Sequence, residues 1–469
     1  MEQRAVFPPG EGGEQAISIL TKLYWSSFIA QQAYLETRIP WWPAERIEQL
    51  QRRRLRSIVT FAWRHVPHYR EAMRRLGLRP EDFRTADDLA RLPLISKQDV
   101  TSAPERFAPD DGHPRAALRI QSSGTTGKPA YVDYDAHALI LSLAAGQRRR
   151  AVLAHYLGQS FGYRELSIMR LGSVSTQMRR FYEEHTWAPR RVDLERLMLD
   201  PGEPFPKLVE RINEFRPDVI VGYGSHLGAF MRWLYFERID FHRPKAVTYG
   251  ADAMPAADRQ IIEEGLGIPV FSFYQSVEAL RIAFQCEKRR GLHIFTDHVA
   301  LRIADAEGRT LPPGEPGEVV VSNLTNRATV LLNYRQGDLA ALSRESCPCG
   351  RNLPVLEGLQ GRRDDLVLRP DGTSVHPLAL IARLQRIPGV LQVQLVQEEL
   401  CRFLVRVVCA PGAAWQEISG NIEDAMRSVL GKGITVASEM CEMIRPGPSG
   451  KVRAVICRLK QPGSYCASD

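Results

Sequence analysis

The sequence predicts an α/β protein: a large N-terminal domain of mixed sheets and helices, followed by a small α+β C-terminal domain. Three observations carry this prediction. Residues 14–95 repeat apolar positions at three and four between Pro-bounded turns, and from about residue 119 short apolar strands alternate with helices. After "GRRDDLVLRPDG" at 361–372 the pattern starts afresh with a helix, two strands, a long helix and a further strand. Helical and strand periodicities separate these zones.

Within the first zone, "RIEQLQRRRLRSIVTFAWRHV" reads as an amphipathic helix and "TADDLARLP" as a short capped helix ended by Pro. Next come "DVIVGYG" at 218–224, "AVTYGAD" at 246–252 and "PVFSFYQS" at 269–276. An apolar run, a Gly or polar turn and then a helix is the rhythm of βαβ units around a buried parallel sheet, with ligands at the strand ends. Between 297 and 345 the alternation has period two, with "PPGEPGE" between "HVALRIAD" and "GEVVVSNL", which predicts a mostly antiparallel sheet or barrel. The C-terminal unit should carry a helix near 378–386, strands "VLQVQLVQ" and "CRFLVRVVCA", a helix across 415–430 and the strand "ITVASEM". The boundary falls at about 364.

A chain of 469 residues, 44% of them hydrophobic, has ample material for a core. Its net charge of +8 comes largely from Arg in helical stretches, densest in "QRRRLR" at 51–56 and "QRRR" at 147–150, which read as solvated helix faces. No basic tail strengthens a nucleic-acid role, so none is expected. No apolar run approaches membrane-spanning length, and the first thirty residues carry Glu, Pro and Gly before any apolar stretch. A soluble, cytoplasmic protein is therefore expected. Cys401, Cys409, Cys441, Cys457 and Cys466 lack the spacing of a disulfide framework and read as reduced core or surface thiols.

Two stretches carry chemistry on their face. In "QSSGTTGKPAYVDYD", residues 121–135, small residues around Lys128 let the backbone approach a ligand, and N–H groups with hydroxyls can cradle phosphate oxygens. It is no Walker A motif, because Gly124 lies too close to the Gly127-Lys128 pair and Pro129 stands where Ser or Thr would hold magnesium. Alone, it also fits an ordinary surface turn. The second stretch pairs Cys286 and His293 of "CEKRRGLH" with Cys347 and Cys349 of "CPCG", which can furnish four soft tetrahedral ligands. His298 competes as fourth ligand, and inert buried thiols with a surface His are the alternative.

The first stretch is followed in order by "YGAD", "FYQSVEA", "NYRQGDLA" and "GPSGKVR", and preceded by "RSIVTFAWRHVPHYRE" and "LPLISKQDV". From about 50 to 456 the chain thus resembles the adenylate-forming superfamily, and more closely its phenylacetate–coenzyme A ligase branch with the capsular polysaccharide relatives. The resemblance implies a large adenylate-forming domain over 1–363 that binds ATP and acid, and a small mobile domain over 364–469. It implies that Ser122, Ser123, Gly124, Thr125, Thr126, Gly127 and Lys128 contact the triphosphate, and that Gly250, Ala251 and Asp252 line the adenine edge. Tyr274 would pack on adenine, Glu278 hold magnesium, Asp338 accept the ribose hydroxyls, and Arg362 add a ribose or phosphate contact. Asp364 would be the hinge, and Lys451 the catalytic ammonium of the mobile domain. Several relatives have a Cys/His arrangement that resembles a structural zinc site. Val277 stands where Thr is usual, Asp252 where Glu is commoner and Ala130 where the wider superfamily has a second Lys. Taken singly, Tyr274 also fits a core tyrosine, Glu278 a helix cap, Asp338 a tight turn and Lys451 an exposed turn.

The activity so implied is attack of a carboxylate on the α-phosphorus of ATP with pyrophosphate leaving, then domain rotation that exposes the acyl-adenylate to a thiol of coenzyme A or of a carrier protein's phosphopantetheine. The acid is expected to be an aryl or specialised biosynthetic one, with Tyr134, Tyr223 and Tyr249 as candidate pocket walls or, equally, core residues. Residues 158–182 depart from the ligases' Gly-rich stretch, and "LRPDGTSVHP" replaces a turn that helps contact coenzyme A, so the acid and the thiol stay open. An amide or ester synthetase, and a silent nucleotide-binding scaffold, are the alternatives. The expected partner is a small acid, a carrier protein and a homodimer being left open, and no membrane.

Overall fold

The computed structural model describes residues 17–122, 130–170, 172–187, 194–362, 367–371, 373–375, 377–431, 433–445 and 452–459. The chain opens with helices α1 (Ile19–Arg38), α2 (Ala44–His65), α3 (Pro67–Arg75) and α4 (Lys97–Ser102). On α2, Leu55, Ile58, Val59 and Ala62 are buried, a spacing that places them on one helical face against the core. Ser96 and Asp99 form a reciprocal capping box that starts α4, with the Ser96 N–H donating to the Asp99 carboxylate at 2.8 Å.

Strands β1 (Leu118–Gln121) and β2 (Tyr131–Tyr134) then form an antiparallel hairpin, followed by helix α5 (Ala136–Leu157). Asp135 caps α5 by accepting the Ala138 N–H at 2.9 Å, and Gly158 ends it at φ +73°, where a side chain would be strained. Alternating strands and helices follow: β3 (Arg164–Ile168), α6 (Val174–His185), β4 (Glu195–Leu199), α7 (Phe205–Phe215), β5 (Val219–Tyr223), α8 (Gly224–Phe236), β6 (Ala246–Gly250), α9 (Ala256–Gln260) and β7 (Val270–Ser276). Strands β8 (Leu280–Phe284), β9 (Leu292–Ile294), β10 (Val299–Ala304), β11 (Gly317–Asn323), β12 (Tyr334–Leu342) and β13 (Val355–Arg362) complete the large domain.

These strands share one sheet of 11, in the order β10-β11-β12-β13-β9-β8-β7-β6-β5-β3-β4. From β3 to β7 every pairing is parallel, and β7 pairs antiparallel with β8. The parallel zone of βαβ units and the later antiparallel zone expected from the sequence are therefore halves of a continuous sheet, joined at β7. All five residues of β5 are buried, as its unbroken apolar run demands of a strand covered on both faces.

After residue 367 come β14 (Val367–Leu368), β15 (Ser374–Val375), α10 (Pro377–Gln385), β16 (Val390–Glu399), β17 (Arg402–Cys409), α11 (Trp415–Leu430), β18 (Thr435–Met440) and β19 (Val455–Cys457). A sheet of four strands, ordered β18-β17-β16-β19, packs a separate core around Leu395, Phe403, Val405, Ile422 and Met426. This smaller C-terminal domain is α+β, as expected; Asp364, the expected hinge, lies outside the described residues. Among the described residues, no helix is long and apolar enough to cross a membrane.

One expectation fails. The arginines at 147–150 do not form a solvated face, because α5 runs between α1 and β8. Arg148 is fully buried, with Nε 2.6 Å from Glu36 and Nη2 2.8 Å from Asp297. Its counter-charges come from positions more than a hundred residues away, which local patterning cannot reveal. Arg54, in the other Arg-rich run, likewise donates to the Asp297 carbonyl at 2.5 Å.

Candidate active site and metal centre

The Ser/Gly/Thr stretch falls in the sequence between β1 and β2. Residues 123–129, which hold Ser123, Gly124, Thr125, Thr126, Gly127 and Lys128, lie outside the described residues, as does Lys451. The stem is well defined: the Ser122 N–H donates to the Ala130 carbonyl at 2.8 Å, and the Ala130 N–H donates back to the Ser122 hydroxyl at 3.0 Å. Tyr134, at the base of β2, is fully buried and donates its hydroxyl to the Val277 carbonyl at 2.7 Å. That bond fixes the hairpin beside Glu278. Tyr134 is consequently a core and positioning residue, the second of the two readings the sequence left open for it.

Glu278 sits in the turn between β7 and β8, where the sheet changes from parallel to antiparallel pairing. Its Oε1 accepts the Tyr334 hydroxyl at 3.0 Å, and its backbone carbonyl accepts from Asn323 at 3.3 Å. Oε2 has no hydrogen-bond partner among the described residues, so the carboxylate retains an oxygen suited to a hard cation. One turn of strand away, the buried Tyr274 donates its hydroxyl to Asp338 Oδ2 at 2.6 Å. Asp338 lies on β12, opposite Arg362 of β13 in the strand register, just after Gly337 at φ +77°. Asp338, 64 residues beyond Tyr274, is thus brought to the neighbouring Tyr274 and Glu278 where the sheet's pairing changes.

The third segment, Gly250, Ala251 and Asp252, leaves the end of β6. Gly250 has no room for a side chain: a Cβ there would lie 2.4 Å from the Phe273 ring. Ala251 takes φ +71°. Asp252 accepts both the Ser225 hydroxyl and, at 3.3 Å, the Ser225 N–H, which fastens the segment to the start of α8. Tyr223 and Tyr249 flank it; burial raises both phenols above their ordinary range, so both are neutral hydroxyls.

The Cys/His constellation comes together as a separate cluster, with one ligand atom from each of Cys286, His293, Cys347 and Cys349 lying within 4.8 Å of all the others. Cys286 and Cys347 sulfurs stand 3.6 Å apart, and Cys349 Sγ lies 3.3 Å from His293 Nε2. Tetrahedral zinc, with bonds of about 2.3 Å to sulfur and about 2.0 Å to nitrogen, sets such pairs roughly 3.5–3.8 Å apart. The residues fit the ion. His293 Nδ1 donates to the Leu353 carbonyl at 3.3 Å, which directs Nε2 to the sulfurs, and the Arg351 N–H donates to Cys349 Sγ at 3.4 Å. Burial brings the His293 imidazole down to about 4, the neutral form a metal needs. His298 is not part of this site: its Nε2 lies 2.8 Å from Glu36, in the Arg148 network. The network of Glu36, Arg54, Arg148, Asp297 and His298 is not legible in the sequence, where its Arg members look like solvated faces and His298 like a metal ligand.

Comparison with known proteins now bears on these features. A solved structure of 2-hydroxyisobutyryl-CoA ligase in complex with an acyl-AMP superimposes with TM-score 0.70, at 19% identity, covering 90% of this chain and 91% of that one. The fold is that of adenylate-forming ligases. A phenylacetate–coenzyme A ligase from Thermus thermophilus is 30% identical over 373 residues, 74% of this chain and 77% of that protein. Protein CapK from Staphylococcus aureus is 21% identical over 427 residues, 88% of this chain and 89% of that protein. Residues 367–458 match the family model of the CapK C-terminal domain. The chain belongs to the phenylacetate–coenzyme A ligase family and is an adenylate-forming ligase.

Proposed function

We propose that this enzyme activates an aryl or specialised biosynthetic carboxylic acid with ATP and transfers the acyl group to the thiol of coenzyme A. The observation that carries the reading is the Tyr274–Asp338 pair beside Glu278, at the sheet's switch point and next to the stem of the Ser/Gly/Thr hairpin. Asp338 accepts the ribose hydroxyls, assisted by Arg362, while the Tyr274 ring and the segment Gly250–Asp252 hold the base. Fixing the nucleoside at one end places the α-phosphorus, and residues 122–128 meet the departing triphosphate oxygens with N–H groups and the Lys128 ammonium. Glu278 would hold magnesium, which when bound would supply neutralising charge to those oxygens. Lys451 brings a further cation to the acyl carboxylate and α-phosphate when the C-terminal domain closes.

In this reading residues 1–363 and 364–469 move about a hinge at Asp364, so that Lys451 leaves and the thiol enters after adenylation. Zinc on Cys286, His293, Cys347 and Cys349 is structural, because four protein ligands leave no open position. It pins the β8–β9 connection to the segment after β12.

The test is product analysis with ATP, magnesium, an acid panel and either coenzyme A or hydroxylamine. AMP with an acyl-coenzyme A thioester is expected. Hydroxamate and AMP without any thioester would contradict coenzyme A as acceptor and favour a carrier protein or an amine. A folded protein that binds ATP but releases no AMP would favour the silent scaffold.

A further inference from the structure

Arg281 and Arg149 meet in a narrow, partly open cleft with room for little more than a water molecule, lined also by Phe273, Tyr274, Gln275 and Phe295. Arg281 projects from β8, in register with Gln275 of β7 and three residues beyond Glu278. Its Nε–H donates to the Ser142 carbonyl of α5 at 2.6 Å, and its guanidinium lies against Gly146, where a Cβ would stand 3.0 Å from Nη2. Arg149 approaches from α5, donating to the Thr248 hydroxyl at 3.0 Å, with its guanidinium carbon 5.1 Å from the centre of the Phe273 ring.

The local charges do not balance. Glu165 lies 3.1 Å from Arg196 and 3.8 Å from Arg149. Among the described residues, neither Arg150 nor Arg281 forms an ion pair, although both are half-buried. Burial, with the charges of Arg149 and Arg150, brings Arg281 down to about 10, so it still carries its charge at neutral pH. A guanidinium held in this way is costly unless an anion joins it. The pocket shares Tyr274 with the nucleotide pair, and its aromatic residues offer an apolar surface between the arginines and that pair.

We propose that the acid activated here carries a second anionic group, a carboxylate or a phosphate, which Arg281 and Arg149 bind while the first carboxylate reacts. The proposal rests on the adenylation reading. A simple monocarboxylic acid uses its only charge in forming the anhydride and brings no anion to Arg281, with Arg149 sharing only the more distant Glu165. A dianionic acid satisfies both ends and is held in one orientation, because the guanidinium fork favours a planar or tetrahedral oxyanion.

The experiment measures acid-dependent ATP–pyrophosphate exchange for matched pairs on the full chain: phenylacetate against 4-carboxyphenylacetate, butyrate against succinate, and glycolate against phosphoglycolate. The best dianionic acid is expected to exceed its singly charged partner by about tenfold or more in kcat/KM, mostly through KM. Arg281→Met should bring that ratio to within about twofold of unity, and Arg281→Lys should restore part of it. Equal use of both members of every pair by wild type, or a preference unchanged in Arg281→Met, overturns the proposal. A loss in Arg281→Met that is equal for both members also overturns it, since the arginine then serves the reacting carboxylate. Exchange with no acid at all is failure of the adenylation reading instead. Thermal shift with the same acid pairs then decides the anion site: stabilisation by the dianion that disappears in Arg281→Met supports it, and none contradicts it.

Discussion

The Tyr274 hydroxyl donates to Asp338 Oδ2 at 2.6 Å and so ties β7, where the sheet changes pairing, to β12. A hydrogen bond to a carboxylate is stronger than a neutral one, at about 1.5–3 kcal/mol. In the proposed reading it holds Asp338 in position for the ribose before the nucleotide arrives. Tyr274→Phe keeps the ring and removes the hydroxyl that makes this bond, so it should raise the KM for ATP about tenfold while leaving the thermal midpoint within a few degrees of wild type. Steady-state AMP release and a melting curve check both halves. An unchanged KM would leave Asp338 positioned by something else.

Gly224 follows β5 directly and faces the segment that should take the base. A Cβ there would lie 2.7 Å from both Met254 N and Tyr249 Cδ2, and 2.8 Å from the Asp252 carbonyl oxygen. Backbone cannot yield cheaply. Gly224→Ala should cost about 1–3 kcal/mol and displace the 249–254 segment, lowering both the urea midpoint and the affinity for AMP. Equilibrium denaturation and AMP binding on the same preparation check this.

Zinc content gives a third prediction. Purified wild type should hold about one zinc ion per chain, and Cys349→Ala should lose nearly all of it, with a melting midpoint lower by several degrees. Elemental analysis with paired melting curves measures both. Replacing His298 in the same way should leave zinc unchanged, because that ring belongs to the Glu36 network.

Asp297 provides the pH dependence. Burial alone would raise its carboxyl, but Arg148, His298 and Arg54 outweigh burial and hold it well below the usual range. A folded-state value below the unfolded one stabilises the protein above the ordinary Asp range, near pH 4, and that stability is lost as pH falls further. Urea midpoints should therefore drop steeply below about pH 4 in wild type. Arg148→Met removes the fully buried cation shared by Glu36 and Asp297 and should cost about 3–5 kcal/mol at pH 7, with a shallower acid limb.

Much of this was legible in the sequence for local reasons. The helix Trp415–Leu430 and strands such as Val219–Tyr223 declare themselves because burial imposes its period on consecutive residues. Cys286, His293, Cys347 and Cys349 were readable because metal ligands come in short fixed spacings, and Tyr274, Glu278 and Asp338 because motif order carried them. The charged interior was not legible. Arg148 and Arg149 look like a solvent face until α1 and residue 297 are folded against them, and Tyr134 fits a pocket wall as well as a core residue until its hydroxyl is seen on Val277. Long-range pairing decides both, and periodicity contains no trace of it.

The most direct measurement is ATP–pyrophosphate exchange without any acceptor, across aromatic, aliphatic and dianionic acids, with wild type beside Asp338→Ala. Exchange stimulated by an acid and reduced at least a hundredfold in a folded Asp338→Ala protein is the predicted result, since loss of the ribose anchor removes both binding and alignment. Acid-dependent exchange that persists undiminished in Asp338→Ala would contradict the placement of the nucleotide between Tyr274, Glu278 and Asp338.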